Sequence, residues 1–348
     1  MAAVRIPRYE VAPGEAMAVA PRISFAPLKE GASVPERFVA ENGIKFVTTF
    51  GGQLSILDSV LGWLDPYVQV DTYEEHFGER TPADTRRLGY QSMFGSKQAA
   101  EYVAMKKIGL KAELVHGAVI VEAMVCEGKP KKLSACDVLA IGDTITKLNG
   151  KPTPTLPDLL RVLGGLVAGE IVTLTVVPYS DPDEISEEDD EPRKVVIRKA
   201  MLMKSPTDPK RSIIGIVPAD TRTVILPFEV GISTVDIGGP SAGLAFTLAL
   251  IDELSRGDLL GKTRVAATGT MSPDGKVGAI GGLVQKAVAV RDSGATLFLV
   301  PTGQPDEEIR KARKAAGSGV KIVQVATLDE ALMVLSKNGG DPLPASTR

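Results

Sequence analysis

Short apolar runs alternate with amphipathic stretches along the second half of the chain. Between the runs, apolar residues recur at helical spacing after Gly243, after Gly282 and over residues 306–316, which predicts three helices. Strands that alternate with helices indicate an α/β arrangement for this half of the chain. The apolar runs themselves have the length of buried strands and occupy residues 213–217, 223–226, 264–271, 297–300 and 320–325.

The first half of the chain has a different pattern. Two β-rich runs, residues 44–50 and 53–57, are separated by Gly51-Gly52, and this combination predicts a two-residue hairpin. Helical spacing appears over residues 96–107, whereas the charged residues 71–90, which include His76, are interpreted as a solvated loop. From Leu110 onward the pattern predicts a small β-rich region, with strands at 118–121, 138–150 and 171–177 and a helix at 156–163.

Composition limits the classes of function. The chain has 348 residues, enough for two domains, and its 44% hydrophobic and 24% charged content is typical of a globular protein. The net charge of −3 argues against nucleic-acid binding. No apolar run reaches the roughly 18 residues that a membrane span needs, and residues 1–22 lack the apolar segment of a signal peptide. The beginning of the chain is therefore interpreted as an extended lead-in rich in Pro and Ala.

The two cysteines, Cys126 and Cys136, are too few for a zinc site, and no histidine accompanies them. They are either two reduced thiols or one disulfide, and the turn-like residues between them slightly favour the disulfide. The acidic run Asp181–Glu191 has Ser186 where a calcium loop needs a glycine at its sixth position. This run is therefore interpreted as a solvated hairpin tip.

A serine lies in the tight sequence Gly239-Pro240-Ser241-Ala242-Gly243, immediately before a predicted helix. Glycine and proline end regular structure, so Ser241 is expected at a turn where the helix begins. The unpaired N–H groups of such a turn suit a developing oxyanion, which makes Ser241 a candidate nucleophile. A serine in this position is otherwise only an N-cap, so the interpretation depends on a partner that takes the hydroxyl proton.

Lys286 is the candidate for that partner. The two histidines, His76 and His116, have no motif around them, which argues against a Ser-His-Asp triad. Lys286 follows Gly281-Gly282 at the beginning of a predicted helix and has apolar neighbours, so burial would lower its pKa and populate the neutral amine. The alternative is an ordinary solvated lysine on a helix surface.

Two further motifs do not carry chemistry. Ser318 and Lys321 form an S-x-x-K pair, but it leads into a strand instead of the helix used by β-lactamase-type serines. Residues 257–263 are one residue short of the phosphate loop G-x-x-x-x-G-K-[ST], and they follow a helix where a phosphate loop would follow a strand. No ATPase is therefore expected, and neither a cofactor nor a metal.

Two separated sequences, GGPSAG at 238–243 and TGTMSPDGKVGAIGGLVQK at 268–286, resemble the proteolytic domain of the Lon family, serine peptidases with a Ser-Lys dyad. The resemblance implies that Ser241 is the nucleophile, Lys286 the base and Thr268 a hydrogen-bond partner of the lysine. It also implies that the oxyanion turn consists of Gly239, Pro240, Ala242 and Gly243. Gly238 stands where ATP-dependent Lon enzymes carry Asp.

The stretch from Val138 to Val177 resembles the second half of a PDZ domain, through the run L-x-x-G-D-x-I-x-x-[VIL]-[ND]-G before a helix and a strand. PDZ domains bind extended peptides beside a sheet edge, so peptide binding is expected here, with the carboxylate loop near Leu110–Val115. The alternative is a small β-barrel without a ligand. A PDZ region inside a Lon-like domain is similar to the bacterial YlbL-type PDZ–Lon peptidases.

This combination implies the fold class: a mixed α+β and α/β chain in which a Lon proteolytic domain (ribosomal-protein-S5-domain-2-like) is interrupted by a small β-rich PDZ domain. The expected domains are a lead-in at 1–40, the proteolytic domain at 41–108 and 204–340, the PDZ domain at 109–203 and a tail at 341–348. The resemblance also implies a location on the extracytoplasmic side of the bacterial membrane, through an N-terminal transmembrane helix that this sequence does not contain. It further implies a homo-oligomer, for which a hexameric ring is one form.

The expected activity is that of an ATP-independent serine endopeptidase acting on unfolded or extended proteins, with the PDZ domain binding substrate or partner peptides. Neither nucleic acid nor ATP is an expected partner. An alternative from another class is a PDZ scaffold whose Lon-like half is catalytically inactive, and hydrolysis of small esters or amides is a weaker one.

Overall fold

The computed structural model describes residues 5–29, 33–38, 42–78, 80–125, 132–179, 194–234 and 237–343. The strands, in chain order, are β1 (Arg5–Ala18), β2 (Ile23–Ala26), β3 (Lys45–Ser55), β4 (Gln69–Thr72), β5 (Glu113–Met124), β6 (Thr144–Leu148), β7 (Lys151–Pro152), β8 (Ile171–Val177), β9 (Val196–Met201), β10 (Met203–Lys204), β11 (Ser212–Ile213), β12 (Ile216–Ile225), β13 (Glu229–Ile232), β14 (Val265–Ala267), β15 (Thr270–Met271), β16 (Val277–Gly278), β17 (Leu297–Pro301) and β18 (Lys321–Val325). The α-helices are α1 (Ile56–Leu64), α2 (Tyr73–Phe77), α3 (Pro82–Lys107), α4 (Ala135–Val138), α5 (Leu156–Leu163), α6 (Gly243–Leu254), α7 (Leu283–Asp292), α8 (Asp306–Ala316) and α9 (Leu328–Lys337).

The chain divides into two compact units. The first comprises Met1–Thr81, Ser92–Glu113 and Val224–Arg348, and the second comprises Pro82–Gln91 and Leu114–Thr223. The second unit thus interrupts the first in sequence. No helix among the described residues is both long and apolar enough to cross a membrane.

A six-stranded sheet lies at the centre of the first unit, with the strand order β18-β17-β14-β3-β1-β4. Strands β18, β17, β14 and β3 are parallel neighbours, and β1 is antiparallel to both β3 and β4. Because successive side chains of a strand point to opposite faces, Leu297 and Leu299 belong to one core and Phe298 and Val300 to the other. Burial on both faces explains why the sequence of β17 is apolar without interruption.

Helix α6 packs on one face of this sheet, and α7 and α8 pack on the other. All twelve residues of α6 are buried, and Phe246 meets Phe46 of β3 with the ring centroids 5.7 Å apart. On the opposite face, buried residues of α7 and α8 share a core with Ala266 and Phe298. The loops that follow β14 and precede α7 are thereby brought to one end of the sheet, beside the beginning of α6.

The predicted hairpin at Gly51-Gly52 is wrong. Strand β3 continues through both glycines, and its partner is β1, in which Val11 lies opposite Gly51. A Cβ atom on Gly51 would lie 2.7 Å from the hydroxyl of Tyr9, so this glycine makes room for the tyrosine ring and does not form a turn. Residues 5–18, interpreted from sequence as part of a lead-in, are an inner strand of the sheet.

The solvated loop predicted over residues 71–90 is also wrong. Thr72 and Glu75 form a reciprocal capping box at the beginning of α2, and α3 begins at Pro82, well before the predicted start at residue 96. The T-x-x-E signature of this box is present in the sequence and predicts a helix start. The many charged residues nearby led to the loop prediction instead, because a solvated helix and a solvated loop have similar composition.

Helix α1 differs from the sequence prediction as well, since the β-rich run at 53–57 ends in a helix. Ser55 and Asp58 form its capping box. Its large apolar side chains are each more than half exposed; they are Ile56, Leu57, Val60, Leu61, Trp63 and Leu64. An apolar run by itself therefore does not identify a core segment in this chain.

The second unit is a small β-rich body. Its sheet has the order β12-β5-β6-β8-β9, β7 pairs with β6, and Leu159 and Leu163 of α5 are buried in its core. The predicted Asn149-Gly150 turn joins β6 to β7, and both residues have the positive φ, 49° and 75°, that a tight hairpin turn requires. A mixed α/β unit interrupted by a β-rich unit confirms the predicted fold class.

Of the two cysteines, Cys136 is disulfide-bonded. Cys126, the acidic run Asp181–Glu191 and the end of the predicted tail, residues 344–348, lie outside the described residues.

Candidate active site

Ser241 lies in a single 3₁₀ turn, Pro240–Ala242, that leads directly into α6. Gly239, which precedes the turn, has φ 96° and ψ 148°, a conformation that is essentially restricted to glycine. The chain therefore reverses direction at Gly239 and presents Ser241 at the first turn of a buried helix. The sequence prediction of a serine at a turn-to-helix junction agrees with this geometry.

Neighbouring elements hold this turn in place. Ser96 of α3 donates to the carbonyl of Pro240 at 3.0 Å, and the Gly269 N–H donates to the carbonyl of Ser241 at 2.8 Å. A Cβ atom on Gly243 would lie 2.7 Å from the backbone nitrogen of Met271, so the beginning of α6 packs directly against the backbone of β15. Ser96 supports the site, and sequence reasoning missed it, because nothing in the pattern of α3 distinguishes it from other small residues.

The backbone amides of Ser241 and Ala242 are the candidates for an oxyanion site, because the next two amides along the chain are already hydrogen-bonded. The Gly243 N–H donates to the carbonyl of Pro240, and the Leu244 N–H donates to the carbonyl of Gly269. Both are therefore engaged within the fold. The amides of Ser241 and Ala242, at the positive end of α6, are the remaining donors near the hydroxyl.

Lys286 reaches the site from the face of the sheet on which α7 and α8 pack. It lies in the second turn of α7, whose N-cap Gly282 has φ 67°, and a Cβ atom there would lie 2.8 Å from Thr49. Leu283 and Ala287, on either side of Lys286 along the helix, are fully buried, and Lys286 itself is only 4% exposed. The GG-x-x-x-K spacing thus directs the amine inward from a helix that begins close to β3.

The Nζ atom of Lys286 lies 2.9 Å from Oγ of Ser241, at hydrogen-bond distance. It also lies 3.4 Å from Oγ1 of Thr268, which in turn donates to the carbonyl of Ser241 at 3.1 Å. Thr268 is fully buried at the end of β14. The three residues that the family resemblance singled out are thus in mutual contact, although they come from three separate elements.

Burial lowers the pKa of Lys286 to about 8, and the carboxylate of Glu308 opposes this shift. Glu308 is held at the beginning of α7, where it accepts from the Leu283 N–H at 3.2 Å and from Gln304 at 3.0 Å. With a pKa near 8, a substantial share of the amine is neutral in mildly alkaline solution and can accept a proton. The hydroxyl and the amine therefore have the geometry and the ionisation of a nucleophile and its base.

The dyad opens into a cleft of about 660 Å³. Residues that line it include Val11, Thr49, Gln69, Asp71, His76 and Ile280. Ser241 also lines a smaller recess of about 230 Å³, whose walls include Met17, Phe46, Met93 and Ile237. His76, set aside in the sequence as a residue without a motif, is therefore a wall of the cleft, whereas His116 belongs to the second unit beside Asp220.

Neither a metal site nor a phosphate site emerges from the described part of the chain. No group of acidic, histidine or cysteine side chains there could hold a metal ion. In the segment 257–263, Asp258 accepts from the amides of Leu260 and Gly261, and Asp252 accepts from the amide of Leu259. A phosphate loop presents such amides to its ligand, whereas here carboxylates already occupy them.

Parts of this chain are similar to known proteins. Residues 226–337 match the family model of the Lon protease (S16) C-terminal proteolytic domain. A Lon protease of Trichlorobacter lovleyi is 38% identical over 106 residues, which are 30% of this chain and 13% of that protein. A Lon protease of Chloroflexus aggregans is 25% identical over 181 residues, 52% of this chain and 21% of that protein. The PDZ domain of an SdrC-like protein from Listeria monocytogenes aligns with 31% of this chain and 93% of its own, at 17% identity and a TM-score of 0.22.

The matched segment contains Ser241, Thr268 and Lys286, and its family supports a serine peptidase function. The match over residues 226–337 is to the same family that the two-part sequence signature resembles. The chain spans only 13% and 21% of the length of the two Lon proteases named above.

Proposed function

We propose that this chain is an ATP-independent serine endopeptidase that uses Ser241 as nucleophile and Lys286 as general base. The observation that carries the proposal is the 2.9 Å contact between the Ser241 hydroxyl and an amine that is 4% exposed. A hydroxyl attacks an amide only if a base takes its proton, and a buried, neutral lysine can do so.

In the first half of the reaction, neutral Lys286 takes the proton of Ser241 as Oγ bonds to the peptide carbonyl carbon. The oxyanion that forms receives hydrogen bonds from the amides of Ser241 and Ala242. When the C–N bond breaks, the Lys286 ammonium gives its proton to the departing amine, which leaves an acyl ester on Ser241. Water then attacks this ester with Lys286 again as base, and the acid product departs.

Two residues position the dyad in this mechanism. Thr268 contacts both Nζ of Lys286 and the carbonyl of Ser241, so it fixes the amine relative to the turn. Glu308 stabilises the ammonium form that arises after proton transfer, since its charge raises the pKa of Lys286 against the effect of burial. The balance between burial and Glu308 keeps the pKa close to the operating range of a general base.

The proposed substrates are unfolded or extended polypeptides. The cleft of about 660 Å³ admits a segment of extended chain, and the occupied amides of segment 257–263 support its interpretation as a connection without nucleotide chemistry. We expect no ATP requirement, and we expect compact folded proteins to resist cleavage. Rapid degradation of a stable folded protein without ATP would contradict this part of the proposal.

For the second unit we propose peptide binding of the PDZ type. A groove of about 580 Å³ runs beside α5, with an apolar floor that includes Leu159, Leu163, Ile214 and Ile216 and a rim that includes Lys210 and Arg211. The segment 208–218 borders this groove, and Leu110–Val115 do not line it. If a peptide carboxylate binds in this groove, the rim with Lys210 and Arg211 is therefore a better site for it than Leu110–Val115, the loop that the sequence analysis expects.

Location and assembly rest on the resemblance to membrane-anchored PDZ–Lon peptidases. The disulfide at Cys136 supports the proposed extracytoplasmic location, because disulfides persist mainly in oxidising compartments. The homo-oligomer, with a hexameric ring as one form, and the domain boundaries at residues 40, 108, 203 and 340 likewise stay proposals.

The decisive experiment compares Ser241→Ala with Ser318→Ala on a reduced, unstructured protein substrate. Ser318 is an exposed serine three residues before Lys321, so it is a matched control for any serine-lysine pair. We expect the Ser241 variant to lose on the order of 10³-fold or more in activity and the Ser318 variant to be unchanged. A wild-type protein without activity would favour the scaffold alternative, and activity on small esters but on no peptide would favour the esterase alternative.

A further inference from the structure

The floor of the active-site cleft crosses three strands of the sheet, and its chemistry changes along the way. Thr49 of β3 lies near the dyad, Val11 of β1 comes next, and Gln69 and Asp71 of β4 lie at the far end. Val11 is opposite Gln69 in the strand register, and Asp71 lies two residues further along β4, opposite Tyr9, so the acidic end lies diagonally beyond the apolar middle. An extended peptide that leaves Ser241 across this floor passes from a polar to an apolar and then to an acidic region.

The side chains at the far end are held in place. Both carboxylate oxygens of Asp71 accept from Gln69 at 3.0 Å, and Nδ1 of His76 lies 3.5 Å from one of them. His76 stacks on Tyr9 with ring centroids 4.2 Å apart and contacts the edge of Phe77. The position of Asp71 is therefore determined by packing before any substrate arrives.

Among the described residues that line the cleft, Asp71 is the one with a carboxylate side chain, and this side chain is 18% exposed. Its side chain contacts the Gln69 amide and the His76 imidazole, and no lysine or arginine among the described residues forms a salt bridge with it. A partly buried carboxylate in a concave surface attracts cations more strongly than an exposed one, because solvent screens it less.

The distance from the dyad sets the substrate position that would meet Asp71. Neighbouring strands lie about 4.8 Å apart, so β3 and β4, with β1 between them, are about 10 Å apart. Thr49 is opposite Pro13 and Asp71 is opposite Tyr9, so Asp71 also lies four residues, or about 13 Å, further along β1, and about 16 Å in all separate it from Thr49. An extended peptide advances about 3.3 Å per residue, so about five residues separate the bond that is cut from the side chain that reaches the acidic end.

We propose that Asp71 is a specificity-determining residue, which selects peptides with a lysine or arginine about five residues from the cleaved bond. This inference rests on the proposed peptidase function and adds a substrate class to it. Gln69 and His76 orient the carboxylate, and the stretch between it and Ser241, with Val11 and Ile280, receives apolar side chains.

The test uses quenched fluorescent peptides that differ at one position, which is Lys, Gln or Glu, placed about four to six residues to either side of the cleaved bond. We expect kcat/KM for the best Lys peptide to exceed that for its Glu counterpart about tenfold, and high salt to reduce the difference. In Asp71→Asn, which keeps the size of the side chain, the ratio of kcat/KM for the Lys and Gln peptides should fall to about one.

Glu10→Gln is the matched control. Glu10 is a carboxylate on the adjacent strand β1, immediately before Val11, so by the alternation of a strand it faces the side of the sheet away from the cleft. This variant removes the same net charge but should keep the Lys preference.

The possible outcomes separate the two proposals. Equal cleavage of the Lys, Gln and Glu peptides at every position, or a Lys preference that survives in Asp71→Asn, overturns the role of Asp71 and leaves the peptidase function intact. If no peptide is cleaved in a manner that depends on Ser241, the proposed function fails and the inference fails with it.

Discussion

Lys276 and Lys286 belong to one continuous segment of sequence, yet their surroundings drive their pKa values in opposite directions. Lys276 lies in the exposed turn between β15 and β16, where a hydrogen bond and salt bridge to Asp274, at 2.7 Å, raise its pKa. Lys286 is buried against Ser241, and burial lowers its pKa to about 8. The same residue type is thus a structural cation in one place and a candidate base in the other.

The difference lies in the nearest partner and in access to water. Lys276 meets a carboxylate, which favours the ammonium, whereas the first contact of Lys286 is a hydroxyl that carries no charge. The acid near Lys286, Glu308, acts on its charge without forming a salt bridge in the described residues, so it only moderates the effect of burial. Lys286 is a candidate base because the core shields its amine from water and no acid in the described residues pairs with it.

The largest effect is expected from replacing each lysine with methionine. Lys286→Met removes the base but keeps an apolar side chain of similar length in the core, so activity on an unstructured protein should fall on the order of 10³-fold. Lys276→Met should leave activity unchanged, since Lys276 lies outside the cleft. Equal losses in the two variants, with both proteins folded by circular dichroism, would show that burial does not distinguish the two lysines.

The pH profile sharpens the comparison further. In the proposed mechanism the neutral form of Lys286 is the active one, and its pKa is about 8, so kcat/KM should rise with pH and level off above 8. Well below pH 8 the loss should approach about tenfold per pH unit, and because half of the amine is already charged at pH 8, the loss between pH 8 and pH 6 should be about 50-fold. A rate that is flat from pH 6 to pH 9 would contradict a lysine base with this pKa.

Gly243→Ala tests the rigidity of the Ser241 side of the dyad. The new Cβ atom would lie 2.7 Å from the backbone nitrogen of Met271, so the beginning of α6 must shift, at a cost of about 1–3 kcal/mol. Gly95→Ala in α3 meets no atom within 4 Å and should stabilise the helix by about 0.5–1 kcal/mol. Thermal unfolding of the two variants should therefore shift in opposite directions, and a shift in the same direction would contradict the close packing at Gly243.

The smallest effect is expected from Thr268→Val, which preserves shape but removes the hydroxyl that contacts Lys286. We expect kcat to fall about tenfold with little change in KM, because the amine loses a positioning contact and not its burial. Thr247→Val, in which an equally buried hydroxyl donates to the carbonyl of Gly243 at 2.8 Å, should cost similar stability without the loss of kcat. Equal kcat losses in both variants would make Thr268 a structural residue only.

Much of the local structure could be predicted from the sequence. Helix α5 at Leu156–Leu163, helix α8 at Asp306–Ala316 and strand β8 at Ile171–Val177 have the bounds that the patterns predict. Turn residues mark the ends of these elements, and each element follows one hydrophobic period. Both features depend only on residues that are close together in the sequence. The turn before Ser241 was predictable for the same reason, because Gly239 and Pro240 restrict the backbone wherever they occur.

Other elements could not be predicted in this way. Gly51 indicated a turn, but it lies within β3 because the ring of Tyr9, more than forty residues earlier in the chain, occupies the space of its side chain. The role of His76 in the cleft wall depends on Asp71 and on Tyr9 of another strand. Both outcomes depend on contacts between distant parts of the chain, to which a local pattern is insensitive.

The sequence by itself determined which residues are available for chemistry: a serine at a turn and a lysine in an apolar helix, with Thr268 singled out by the family resemblance inside the strand predicted over 264–271. Only the tertiary structure decided that Ser241 and Lys286, 45 residues apart in the chain, are 2.9 Å apart in space and that the amine is shielded from water. The physical reason is that the Lys286 amine loses contact with water only when α6, α7 and the sheet between them are packed together.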